Sequence, residues 1–126
     1  MGGFDGFIKD RIQTEENAIA RAQREEDAVI SMLISYIEGN LSNSKFFEAI
    51  NVKITKLDNG YALANGTNGF IISTLGKFVR FSGGGQGEIG GAIPGLTETG
   101  VPDPEFEDTM NDIVLRTLRR LKMFKE

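Results

Sequence analysis

The chain contains no histidine and no cysteine. Together these absences remove the commonest general base, the thiol nucleophile, the Ser-His-Asp arrangement and almost every zinc site. What is left for catalysis is carboxylates, lysines and two tyrosines, and the reading leans away from an enzyme. No metal or cofactor is expected. Without cysteine there is also no disulfide framework, which suits a reducing compartment and makes the cytoplasm the expected location.

A long hydrophobic run is missing as well. The longest nearly apolar stretch, residues 28–37, is about half of what a bilayer span needs. The segment Phe4-Asp5-Gly6-Phe7-Ile8-Lys9-Asp10 carries acids where a secretion signal would be uninterrupted, and Gly6 stands where a myristoylation motif wants Ser or Thr. Two N-x-S/T sequons, at Asn40 and Asn65, therefore read as turn chemistry. Basic excess is absent too: the net charge is −4 and the isoelectric point about 4.9, against a surface built throughout for phosphates.

What is present fits one domain over residues 1–126, α+β in class: a long N-terminal helix, a four-stranded antiparallel meander, a glycine-rich loop and a C-terminal helix. Residues 4–38 lack proline, carry Gly only at position 6, and are dense in helix formers. Asp5 can cap the start, and Gly39-Asn40 can stop it. In residues 28–37 only two serines and a tyrosine hydroxyl interrupt the apolar surface, as befits a core helix. Before Asp27 there is only a thin stripe, Phe4, Ile8, Ile12, Ile19 and Ala22, among charged neighbours. Unbroken, the helix would run about 50 Å, beyond the roughly 30 Å of a small domain. It must break, with Thr14 and Asn17 as a weak place, or overhang and find a partner for its stripe.

Downstream the period changes. Ile50, Val52 and Ile54 alternate with polar residues, Asn59-Gly60 reads as a two-residue type I′ turn, and Asn65-Gly66-Thr67-Asn68-Gly69 and Gly76-Lys77 punctuate two further strands. The meander is placed at residues 50–82. Lys45-Phe46-Phe47-Glu48-Ala49 can be a helical turn or the beginning of a strand. Eight of the eighteen residues from 83 to 100 are glycine, and regular structure resumes at Asp103-Pro104, a cap and first helical position for a helix over residues 104–124.

Gly85, Gly87 and Gly90 spell a GxGxxG motif after a strand, but Gly90-Gly91-Ala92-Ile93-Pro94-Gly95 cannot carry the helix whose N-terminus would meet a pyrophosphate. A looser amide nest for an anion at Gly85, Gln86 and Gly87 remains open. So does a loop that orders against a neighbouring subunit through Ile89, Ile93 and Leu96. Arg116, Arg119 and Arg120 could contact nucleic acid. The same polarity, acids first and bases last, complements the helix dipole, and Phe106, Met110, Ile113, Val114, Leu118, Leu121 and Phe124 recur as a packing face.

The leading expectation is a non-catalytic interaction or assembly module that forms a homo-oligomer or binds another protein, with Phe4, Ile8, Ile12, Ile19, Ala22, Ile89, Ile93 and Leu96 as contact residues. The alternative is a domain for a small ligand or anion, with a pocket between sheet and long helix lidded by residues 83–100. Nucleic-acid binding through the C-terminal arginines is the third, and no membrane partner is expected.

Overall fold

The computed structural model describes residues 3–83 and 92–124. The chain opens with helix α1 (Gly3–Tyr36), continuous through Thr14 and Asn17, where the Thr14 hydroxyl merely donates to the Asp10 carbonyl one turn back. Nor does Gly39-Asn40 stop it. The backbone widens into one π-type turn over Ile37–Leu41, closed by a bond from the Ser42 amide to the Ile37 carbonyl, and this extra turn buries Leu41 beside Ile37.

Helix α2 (Lys45–Ala49) follows, so that ambiguous segment is helical. Ser44 caps it through the Phe47 amide, and its end is a Schellman closure: Val52 N–H bonds back to Phe47, Asn51 N–H to Glu48, and Asn51 takes a left-handed φ of 58°. That closure consumes Ile50, Asn51 and Val52, so the first strand, β1 (Lys53–Leu57), begins later than the alternation suggests.

β1 is joined by β2 (Gly60–Asn65), β3 (Asn68–Leu75), β4 (Phe78–Ser82) and β5 (Ile93–Pro94) in one antiparallel sheet of order β1-β2-β3-β4-β5. The sheet thus has one strand more than the four expected: two residues of the predicted loop, Ile93 and Pro94, pair with Val79 and Phe78. The first hairpin forms as expected, with its turn one residue earlier. Leu57 pairs with Gly60, Asp58 and Asn59 make the turn, and neither Asn59 nor Gly60 has positive φ. Gly60 is required for another reason: a Cβ there would lie 2.0 Å from the Ile72 carbonyl oxygen on β3. The next two turns place only their glycines, Gly66 and Gly76, at positive φ, as a II′ turn requires of its first central residue.

Helix α3 (Phe106–Arg120) begins two residues after Pro104. Asp103 instead caps the preceding turn, accepting from the Glu105 amide at 2.8 Å, while the Phe106 amide bonds to the Asp103 carbonyl. α3 also ends in a Schellman closure, with Lys122 at φ 56°. Asn65, at the end of β2, ties both helix ends together: its amide donates to the carbonyls of Ile50 at 2.7 Å and Met123 at 2.8 Å.

One hydrophobic cluster joins these elements. Val29, Leu33, Tyr36 and Ile37 meet the inward side chains Leu63, Phe70, Ile72, Val79 and Phe81 of the sheet and Phe106, Met110, Val114 and Leu118 of α3. Along the second half of α1 and into the π-type turn the polar side chains Asp27, Ser31, Ser35 and Glu38 form one exposed stripe, and the other sides are wholly or partly buried. Among the described residues no helix is long and apolar enough to cross a membrane.

Candidate interaction surface

The first part of α1 makes no use of this core. Every residue from 3 to 24 is exposed, and burial begins at Glu25 and Glu26. These two acids mark where the helix meets the sheet: Glu25 pairs with Lys77 at 3.7 Å, and the Thr74 hydroxyl donates to Glu26 at 3.4 Å. At about 1.5 Å per residue the free stretch is roughly 30 Å long.

On it the apolar side chains are open to solvent: Phe4 is 74% exposed, Ile19 69% and Ile12 50%, and Ile8 and Ala22 are exposed as well. Their spacing continues beyond the free stretch. Ile8, Ile12, Glu15, Ile19, Ala22, Glu26, Val29, Leu33 and Tyr36 follow one another by alternating steps of four and three, the a/d seam of a heptad. The exposed stripe is therefore the same helical face that packs on β2 and β3 farther along, extended past the sheet's edge. Around the seam the overhang is polar, with Asp10, Gln13, Asn17, Arg21 and Arg24 on the far side. Arg11 and Glu15 form an exposed i,i+4 pair at 3.7 Å.

The remaining sequence-derived candidates separate. Ile93 and Leu96 are buried in the chain's own core. Gly85, Gln86, Gly87 and Ile89 lie outside the described residues, so neither an amide nest nor a subunit contact is described there. Arg116, Arg119 and Arg120 are exposed on α3, and Arg116 shares a shallow hollow with Glu105, Asp108 and Asp112, so acids crowd it. Between sheet and α1, where a ligand pocket was the alternative, stand the fully buried side chains of Val29, Leu33, Leu63, Phe70 and Ile72. A surface hollow of about 580 Å³ opens elsewhere, between Ser31, Met32 and Ser35 of α1 and residues 103–108. Among the described residues no cluster of three or more carboxylates could hold a metal ion.

Two tyrosines have displaced acidities. Burial, with the nearby Glu107 carboxylate adding to it, pushes Tyr36 up to about 12, and its hydroxyl donates to Asn111 at 2.7 Å. Tyr61 is also raised, by burial first and Glu38 second, yet its buried hydroxyl has no partner among the described residues.

Two exposed apolar features escape the stripe as read from sequence. Phe7, 59% exposed, sits three residues after Phe4 and away from the seam, at the heptad position that Arg21 takes two heptads later. On the sheet, Leu57, Ile71, Leu75 and Phe78 share the face turned away from the helices and are all substantially exposed. The signal for the latter was the run Phe70-Ile71-Ile72, apolar on both faces of a strand. Comparison with models of known families, with curated proteins and with solved structures returns no match.

Proposed function

We propose that this chain is a non-catalytic assembly module that self-associates through the overhanging part of α1, with Phe4, Ile8, Ile12, Ile19 and Ala22 as the contact face. The observation that carries the reading is the exposed stripe on residues 3–24, in phase with the core-packing face of the same helix. A regular helix standing free in water gains little from propensity alone, because most helical stability in proteins comes from packing an amphipathic face. Contiguous exposed apolar surface of this kind marks interaction sites, and such a role requires shape and burial where the chain offers few reactive groups.

Sedimentation equilibrium over a wide concentration range tests it. The expected result is concentration-dependent self-association that Ile12→Glu and Ile19→Glu abolish while circular dichroism reports an intact fold. A strict monomer at high concentration would defeat the reading.

A further inference from the structure

We infer that the occupant of the stripe is the same stripe on a second copy, with the two overhanging helices running antiparallel about a two-fold axis between Gln13 and Thr14. This rests on the self-association proposed above and specifies its geometry.

Orientation follows from the phase of the seam. From Val29 onward the seam is covered by the chain's own sheet. A parallel partner lying on the seam of residues 3–24 would continue into the space that β2 and β3 occupy, and would also set Glu15 against Glu15 in an apolar layer. An antiparallel partner runs the other way and leaves the body untouched.

Register follows from the side chains. In an antiparallel pair each seam layer joins an a position to a d position. With the axis between Gln13 and Thr14, Ile8 meets Ile19 of the second copy, Ile12 meets Glu15, and Asp5 meets the small Ala22, with Phe4 flanking that end layer. Glu15 in that layer keeps its carboxylate at the margin, where Arg11 of its own helix already holds it.

Charge agrees. Lys9 and Glu16, which form no ion pair in their own chain among the described residues, flank the seam and come opposite each other, twice by symmetry. Length agrees as well: Gly3 falls opposite Arg24, the last fully exposed residue before the body. A register one heptad closer to the bodies drives residues 3–9 into the partner's sheet, and one heptad farther sets Asp5 against Glu15. Three heptads per chain bury on the order of 1,200 Å², the low end for a specific dimer, so dilution should dissociate it.

Because the chain has no cysteine, thiol cross-linking reads this arrangement directly. Ile8→Cys/Ile19→Cys, treated with a short bismaleimide, is expected to give a covalent dimer in high yield. Ile8→Cys alone is expected to give almost none, since the two thiols would be about 16 Å apart along the helix axis. A second measurement uses charge: Lys9→Glu and Glu16→Lys should each weaken the dimer about 3- to 10-fold by replacing attraction with repulsion at both symmetric pairs, and K9E/E16K together should restore it.

Efficient cross-linking of Ile8→Cys alone would overturn the antiparallel geometry and leave self-association standing. A dimer that neither cysteine variant captures, and that the charge reversals do not move, would place the interface elsewhere. A wild-type monomer at all concentrations would overturn both this geometry and the proposed function.

Discussion

The two halves of α1 share one register and opposite surroundings. Ile12 and Leu33 occupy equivalent seam positions, yet Ile12 is 50% exposed and Leu33 is 1% exposed. A helix read from its own pattern therefore states which face wants cover, and only its neighbours decide whether this chain supplies that cover. The sheet ends at Glu25 and Glu26; the seam does not.

The contrast should appear most strongly in matched truncations. Leu33→Ala removes a fully buried side chain and is expected to cost about 3 kcal/mol of unfolding free energy, whereas Ile12→Ala should cost under about 0.5 kcal/mol when measured below the dimer's dissociation range. Urea denaturation of both variants decides it. Comparable losses would mean that the overhang folds against the body in solution, and the separation of the halves would be void.

A smaller effect sharpens what belongs to the body. Asn65→Ala deletes both donors that tie the ends of α2 and α3 to β2. About 2 kcal/mol of destabilisation is expected, for two hydrogen bonds of about 1 kcal/mol each. Amide exchange should then quicken in residues 45–52 and 118–124 and stay as it was in residues 3–24. If Asn65→Ala is silent, the clamp is not a determinant of stability.

The tyrosines divide the body further. Tyr36→Phe loses the bond to Asn111 and should cost about 1 kcal/mol, while Tyr61→Phe removes an unpartnered buried hydroxyl and should be neutral or stabilising by about 1 kcal/mol. Tyr36 also sets a pH dependence. Its folded pKa, about 12, lies above the ordinary value of 10, so its contribution is full below pH 10 and is lost as pH rises towards 12. Stability against pH in Tyr36→Phe should lack that part of the alkaline decline. An identical decline in both proteins would remove Tyr36 from the account.

Sequence carried the three central hairpin partners and both long helices because their signals are local: period, turn glycines, caps. It missed β5 because two residues, Ile93 and Pro94, become a strand only through partners on β4, a non-local fact. It placed the first strand too early because Ile50 and Val52 alternate like a strand while serving as the closure of α2. It also misassigned the role of Gly60, since the carbonyl of Ile72 that excludes a side chain there comes from the neighbouring strand. The stripe was legible for the same reason the helices were. That Ile93 and Leu96 belong to the core, and that Ile71 and Phe78 lie on an open face, depended on where the sheet's far side turned.

The smallest effect concerns the overhang alone. Gly6 lies within α1 with open space around the position of its missing Cβ, so Gly6→Ala should raise local helix stability by about 1 kcal/mol without touching anything. If the halves are energetically separate, helical circular dichroism measured on dilute protein should rise slightly while the urea midpoint of the body stays fixed. A midpoint that moved with Gly6→Ala would mean that order in the free half is transmitted through Glu25 and Glu26 into the sheet, and that the helix stabilises the fold as one unit.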